Sequence, residues 1–486
     1  MPRALLATAV LVLAGCAPLW PVTPPAPRAE PALPANWHGA ADAGLGSPNA
    51  AAPVDLAHWW RQLGDPQLDS LIERALAGSG DLRLAAARLR QARAAREQAV
   101  AAAYPTLTAS GSANRSRSAT TLTGIGTTRT LYDLGFDAQW EIDLFSGLAA
   151  GVAAADADLA ASGANVANAR VSLVAEVAQN YVDLRNAQRR LAIARDNLAT
   201  QSDTLQIADW RNQAGLATGS DVEQARANRE QTRATIPDFA VSLAAAENRL
   251  ALLTGLTPGA LHAELAQLRP LPAIPASVAT GIPADVLRQR PDLVAAERSL
   301  AAETARVGAQ MAKRYPSLNL NASFGWQAFS LGALGPAGSI ARNLAGTLAG
   351  TLFDGGRLQS AVEVRSAVQE QALISYRNAV LGALEDVENA LTAHAWARER
   401  LDARRAAATA ARNAAQLARQ MYDTGLTDFQ RVLDTERTRL AAEDAQAQAE
   451  STQVASLIKL YKALGGGWQP AAATTATTAT TAKEIR

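Results

Sequence analysis

The feature that most restricts the fold of this chain is an internal repeat held at one nearly constant offset. Four separate similarities between the two halves are displaced by 208 to 211 residues. They pair Tyr104-Pro105 with Tyr315-Pro316, Leu144-Phe145 with Leu352-Phe353, Gly215-Leu216 with Gly425-Leu426, and Leu250 with Leu460. Chance does not keep one offset over four separated positions, so two copies of one structural unit are predicted.

Each copy is predicted to contain a helix, two strands, a very long helix, a turn and a returning helix. The helices are expected at residues 67–103, 148–213, 219–254, 284–314, 356–423 and 428–464. At the rise of an α-helix, the two long ones reach roughly 100 Å. Alanine is abundant throughout, and its small side chain lets such helices pack closely side by side.

Between the helices, the apolar residues alternate with polar ones, which is the period of a β-strand. Residues 132–144 place apolar side chains on one face and mostly acidic or polar ones on the other. Similar alternation occurs at 106–114, 318–326 and 343–352. Strands of about ten residues with one apolar face suit a membrane β-barrel. A soluble sandwich with its apolar face turned inward is the alternative.

The number of strands limits how such a sheet can enter a membrane. Four strands cannot close a barrel, and lipid tolerates no open sheet edge. Two copies of the chain would supply eight strands, and barrels of about that size are filled by side chains. Three copies would supply twelve, so a trimer is the smallest assembly that leaves an aqueous lumen. The predicted fold class is therefore α+β, mainly α.

The N-terminus predicts a membrane anchor. A basic start at Arg3 and an apolar run over 4–14 are typical of a secretory signal peptide. Leu13-Ala14-Gly15-Cys16 resembles a bacterial lipobox, in which the cysteine becomes the acylated N-terminus. Ala17 at the next position implies sorting to the outer membrane of a Gram-negative cell. The alternative is a plain signal peptide with an incidental cysteine.

The domain organisation follows from the signal peptide and the repeat. The predicted segments are a lipoprotein signal peptide (1–15), the lipidated Cys with a Pro-rich tether (16–54), a first repeat (55–260) with strands at about 106–145, a second repeat (261–468) with strands at about 317–353, and a disordered Ala/Thr tail (469–486).

Composition excludes several classes of function. With 46 Lys+Arg against 45 Asp+Glu, no cationic excess is available for nucleic acid. The one cysteine cannot form an internal disulfide, and the four histidines stand too far apart in sequence for a metal site. No nucleophile elbow, phosphate-binding loop or complete dinucleotide motif is present. We therefore expect no enzyme, no metal site and no cofactor other than the covalent lipid on Cys16.

The second half carries a recognisable signature. Arg290-Pro291-Asp292-Leu293, Ala296-Glu297, Leu300 and Tyr315-Pro316-Ser317-Leu318 resemble that of TolC-type outer-membrane efflux channels. The resemblance spans about residues 55–468, and the lipobox places the chain in the NodT/OprM-like lipoprotein branch. It implies a homotrimer with a twelve-strand outer-membrane β-barrel on a long periplasmic α-helical barrel. It also implies two partners, a periplasmic adaptor and an inner-membrane pump of the resistance-nodulation-division class.

The resemblance assigns the periplasmic tips to the turns between the long and returning helices. The residues expected to dock the adaptor are Gly215, Leu216, Thr218, Gly425, Leu426 and Thr427. Glycine at each turn suits a reversal after a helix end. The alternative is an ordinary helical hairpin without a docking role.

Just beyond the second tip, residues 432–437 resemble the family's gate segment. The resemblance implies that Asp434 rings the pore constriction with its symmetry mates and that Arg437 makes interhelical contacts that keep the tunnel closed. Gln430 and Arg431 depart from relatives that carry an apolar residue and a second Asp there. The alternative is a surface Asp near a helix start with Arg437 in an ordinary surface pair.

The function implied is a passive exit duct for small molecules such as drugs, from the periplasm to the exterior. Two alternatives remain from the sequence. One keeps the fold but serves a type I protein secretion system. The other is a lipid-anchored periplasmic coiled-coil scaffold without a pore.

Overall fold

The structure, a computed structural model, describes residues 37–38, 56–119, 126–275 and 289–468. Cys16, the predicted signal peptide, most of the predicted Pro-rich tether and the Ala/Thr tail lie outside these residues. Among the helices that are described, none combines the length and the hydropathy of a membrane-spanning segment.

The described chain is mainly helical, with one small sheet, and its elements follow the same order twice. A 3₁₀-helix at Leu56–Leu63 precedes α1 (Pro66–Gly78), α2 (Gly80–Ala101), β1 (Thr106–Arg117), β2 (Thr128–Ile142), α3 (Gly147–Gln213) and α4 (Gly219–Leu253). A short α5 (His262–Leu265) leads to α6 (Pro291–Ala312), β3 (Ser317–Ala328), β4 (Ile340–Ala349), α7 (Arg357–Asp423) and α8 (Phe429–Ala463). Both long helices have 67 residues, and both returning helices have 35.

The chain divides into two compact units. The first unit contains the sheet with its flanking helix ends, over Ala87–Ala164 and Val294–Ala379. The second contains the described residues of 32–86, 165–293 and 380–486, which are the remaining helical segments.

In the first unit, the four strands form an antiparallel meander in the order β1-β2-β3-β4. Residues that pair across antiparallel strands lie on the same face of the sheet. The register sets Phe136 opposite Phe324 and Ala322 opposite Leu344, so the apolar residues of all four strands share one face. Phe136, Phe324 and Leu344 on that face are exposed. Among the described residues, β1 and β4 each leave one edge unpaired.

Two glycines bring β2 and β3 unusually close. Gly135 pairs directly with Gly325. A Cβ added to Gly325 would lie 2.6 Å from the Leu134 carbonyl oxygen, which no side chain tolerates. This approach of two backbones requires glycine at that position.

β2 ends at Ile142, so the expected alternation through residue 144 runs two residues too far. The Asp143 carboxylate accepts a hydrogen bond from the Ala149 backbone N–H at 2.8 Å. This bond satisfies one of the backbone amides in the first turn of α3 that have no partner within the helix. The strand therefore ends before Asp143, whose side chain serves the helix. Asp143 is therefore part of the strand-to-helix turn.

In the second unit, the expected helix over 67–103 is two helices, which is a correction to the sequence prediction. Ser79 interrupts them with φ −57° and ψ 131°. A Cβ on Gly78 would meet the Thr254 carbonyl oxygen at 2.4 Å, and a Cβ on Gly255 would meet the Gly78 carbonyl oxygen at 2.4 Å. The close contact between these two distant backbones accounts for the break, and helical periodicity does not reveal such a contact.

The main core of the second unit lies around the 3₁₀-helix and the C-terminal end of α8. Trp59 and Tyr461 are fully buried and stack with ring centroids 5.0 Å apart. The Tyr461 hydroxyl donates to Gln62 Oε1 at 3.0 Å, so this buried polar group has a partner.

Candidate functional site

The first predicted tip is a tight helix end that reverses the chain. Gly215 has φ +74°, a left-handed conformation that glycine adopts without steric cost. Its N–H donates to Asn212 O at 2.9 Å, and the Leu216 N–H donates to Arg211 O at 2.7 Å. This pair of bonds is a Schellman motif. It leaves Leu216 75% exposed.

The returning helix α4 begins with a capping box. Thr218 Oγ1 accepts from the Asp221 N–H at 3.2 Å, and Asp221 Oδ2 accepts from the Thr218 N–H at 2.9 Å. Asn212 Nδ2 also donates across the turn to Ala217 O at 2.9 Å. The first tip is therefore held by bonds on both sides of the reversal.

The second tip repeats this geometry with a different cap. Gly425 has φ +75°, and the Leu426 N–H donates to Met421 O at 2.8 Å. Leu426 is 73% exposed. Asp428 caps α8 by accepting from the Arg431 N–H at 2.9 Å, whereas Thr427 precedes the cap. Asp428 was missed, although it stands 210 residues after Thr218 and an acidic side chain is a favourable cap.

One apolar cluster joins the helices behind both tips. It contains Leu205, Ala208, Val222, Ala225, Tyr422, Phe429, Val432 and Leu433, which come from all four long and returning helices. The rings of Tyr422 and Phe429 are 5.4 Å apart, and the Arg211 guanidinium lies over the Tyr422 ring at 4.2 Å. The structure therefore brings the two predicted tips to the same end of the second unit.

The predicted gate residues lie one turn apart near the start of α8. Arg437 Nη1 is 3.9 Å from Asp434 Oδ1, and Gln430 Nε2 donates to Asp434 Oδ1 at 3.3 Å. Arg437 Nε also donates to Asn228 Oδ1 on α4 at 2.8 Å. Arg437 therefore links α8 to α4, with a buried neutral amide as its partner.

Asn228 was missed because nothing in its local sequence sets it apart. The repeat contains a usable signal, since Asn228 and Arg437 are the tenth and ninth residues of α4 and α8. When two helices start side by side, residues at similar positions from their first residues lie at the same height along the helix axes.

A buried carboxyl next to the gate was also missed. Glu436 is 5% exposed, and its Oε1 lies 2.9 Å from Thr204 Oγ1 on α3. Burial raises the pKa of Glu436, while Thr204, Arg439 and Arg419 oppose the shift. Thr204 Oγ1 also lies 3.0 Å from Thr200 O. The Thr204 hydroxyl has one hydrogen for two acceptors, Glu436 Oε1 and Thr200 O, and Glu436 Oε2 is buried with no hydrogen-bond partner among the described residues.

These features belong to one class of protein. The chain combines helices of 67 residues that end in paired turns with a sheet that exposes an apolar face, and this fold is that of an outer-membrane channel protein. The solved structure of the outer-membrane channel OprN has a TM-score of 0.87 and 36% identity to this chain, over 92% of this chain and 100% of that one.

Two segments, residues 71–256 and 282–466, match the model of the outer membrane efflux protein family. The pyoverdine export outer membrane protein OpmQ of Pseudomonas putida is 33% identical over 461 residues, 92% of this chain and 94% of that protein. The toluene efflux pump outer membrane protein TtgF of Pseudomonas putida is 30% identical over 452 residues, 92% of each. The chain belongs to the outer membrane efflux protein family, and it is an outer-membrane channel component of an efflux pump.

Proposed function

We propose that the chain is a passive, trimeric exit duct for small molecules and that it catalyses no reaction. The observation that carries this proposal is the sheet, which exposes an apolar face and leaves two edges unpaired. In lipid, each unpaired edge costs several kcal/mol per backbone group, of the order of 2–7 kcal/mol. Three copies that pair β4 of one with β1 of the next remove all edges and form a twelve-strand barrel on a helical barrel.

The tips suit a protein partner in the periplasm. Leu216 and Leu426 are exposed at the same end of the second unit, and both are held by rigid turns. A periplasmic adaptor would dock on these turns, at Gly215, Leu216 and Thr218 of the first. An inner-membrane pump of the resistance-nodulation-division class would supply energy and selectivity. Relatives named for pyoverdine and for toluene support a duct with little selectivity of its own.

The gate would be the ring of three Asp434 carboxylates around the pore axis, closed by the Arg437–Asn228 bond. Like charges in a narrow pore repel one another and attract cations. Loss of the bond between α8 and α4 would free the start of α8 to move outward. In this proposal Asp434 sets the charge of the constriction and Arg437 holds its position.

The anchor would be the lipid on Cys16. The intact mass of the purified wild-type protein tests it, since this mass should exceed that of the chain from Cys16 onward by the mass of the acyl groups, and Cys16→Ala should carry no acyl mass. An unmodified cysteine in the wild-type chain would refute the anchor.

Purified protein tests the duct itself. It should run as a trimer and conduct ions in a planar lipid bilayer, and Asp434→Ala with Arg437→Ala should raise the conductance. Arg226→Ala is the matched control, because the Arg226 side chain is paired with Glu223 on the same helix, at 2.7 Å, and not with another helix among the described residues. A monomer without conductance would overturn the duct. Equal conductance in the double variant and in Arg226→Ala would overturn the gate.

A further inference from the structure

A cavity of about 430 Å³ lies between α3, α4 and α8 beside the Arg437–Asn228 bond. Pockets for small organic ligands start at about 300 Å³, so one ligand fits. Part of its wall is apolar and comes from all three helices, through Ile193, Ala194, Phe239, Leu440 and Ala441. An aromatic or aliphatic body would bury its surface against this wall.

The opposite part of the wall offers hydrogen-bonding groups. Asn228, Thr232 and Gln201 line the cavity, and all three are at least nine-tenths buried. Their amide and hydroxyl groups can donate hydrogen bonds to the polar end of a ligand.

The two arginines of the cavity differ in how closely they are paired with a carboxylate. Arg190 binds Asp444 with both nitrogens, at 2.6 and 2.9 Å, and lies over the Phe239 ring at 4.7 Å. That pair is neutral as a whole. Arg437 bonds the neutral Asn228, and among the described residues Asp434 is its one carboxylate neighbour within 4 Å, at 3.9 Å.

We propose that this cavity is a binding site for a small anionic amphiphile, that is, a carboxylate carried on an aromatic or aliphatic body. The carboxylate accepts hydrogen bonds from the Arg437 guanidinium, which binds such groups with good geometry. The body lies against Phe239 and Leu440. Occupancy draws Arg437 away from Asn228, so the ligand acts on the link between α8 and α4 and not on the open pore.

Titration calorimetry of the full-length protein in detergent tests the site, with naphthoate and its neutral amide, naphthamide, as probes. Naphthoate should bind about tenfold more tightly, because only the carboxylate forms an ion pair with Arg437. Arg437→Gln should reduce naphthoate affinity to the level of naphthamide. Equal affinity of the wild-type protein for both probes would overturn the proposal.

A cavity-filling variant separates this site from uptake by the detergent or by other surfaces. Ala441→Trp places a large side chain at the exposed edge of the cavity and should abolish naphthoate binding. Ala234→Trp is the matched control, since Ala234 is an exposed alanine on α4 that does not line the cavity. Undiminished binding to Ala441→Trp, or equal loss in both variants, would refute the site. Neither readout depends on whether the protein conducts ions.

Discussion

At the scale of single residues, Glu436 shows how the helix seam changes the chemistry of a side chain. Burial raises its pKa above the value of 4.5 that a free glutamate has. The folded state then binds a proton that the unfolded state releases. This contribution to stability is fully present below the unfolded pKa and is lost as pH rises through the folded pKa.

Glu436→Gln should therefore stabilise the protein at neutral pH and flatten the fall in stability from acid to neutral pH. The amide is neutral at every pH and can still donate to Thr204. The measurement is the thermal unfolding midpoint as a function of pH. Glu223→Gln, at a carboxylate that is mostly exposed, is the matched control. A profile for Glu436→Gln that matches the wild type would contradict the raised pKa of Glu436.

Other single residues of the candidate site differ in how far the sequence could reveal them. Gly215 and Gly425 can be predicted from the sequence, because a chain reversal after a helix favours glycine. Asn228 and Glu436 cannot be predicted in this way, because their hydrogen-bond partners are more than 200 residues away in the sequence. A polar residue on a long helix looks the same in sequence whether it faces water or another helix.

At the scale of elements, the two tips depend on left-handed glycine. Gly425→Ala should lower stability by about 1–2 kcal/mol, because an L-residue pays that cost at positive φ. Gly382→Ala is the matched control, and it should change the stability in the opposite direction. Gly382 lies inside α7 with open space around its Cα, so alanine there should stabilise by about 1 kcal/mol. Thermal unfolding midpoints that shift in the same direction for both variants would contradict the assigned turn geometry.

The sheet provides a second test at this scale. Gly325→Ala would place a Cβ 2.6 Å from the Leu134 carbonyl oxygen, so β2 and β3 must separate. We expect a loss of about 1–3 kcal/mol, the usual cost of overpacking, seen as a lower unfolding midpoint. Among the described residues, a Cβ at Gly346 would meet the flexible Leu320 side chain, with Cδ2 at 3.4 Å, so Gly346→Ala should change the stability little. If the two variants were equally stable, the close contact of β2 and β3 would be wrong.

The ends of the elements were predictable where local sequence sets them. Helices expected at 148–213 and 356–423 are observed at Gly147–Gln213 and Arg357–Asp423, because glycines bound them at one or both ends. The break at Ser79 was not predictable, since the reason for it lies at Gly255. Local residues predict where a helix ends, but a tertiary contact can break a helix where no local residue predicts an end.

At the scale of the whole molecule, the register of the sheet makes an apolar surface that one chain alone does not cover. Alternation in each strand predicts two faces, but only correct pairing puts the apolar faces of four strands on the same side. The exposed side chains of Phe136, Phe324 and Leu344 then form one surface suited to lipid.

Leu344→Arg tests which face meets lipid. Leu344 is 79% exposed on the apolar face, where an arginine near the bilayer midplane costs about 2–4 kcal/mol. We expect less protein assembled in the outer membrane and a lower unfolding midpoint in detergent. Asn343→Arg, one residue away on the opposite face, should assemble normally. Greater harm from Asn343→Arg than from Leu344→Arg would reverse the assignment of the faces.

Periodicity and local turn residues were enough to predict the approximate bounds of the long helices and the alternation of the strands. The three-dimensional packing alone shows that both tips share one end of the second unit, that Arg437 bonds Asn228 and that Glu436 lies buried against Thr204. Each of these depends on which helix faces come together. Residues far apart in the chain set that pairing, and a local pattern contains no record of it.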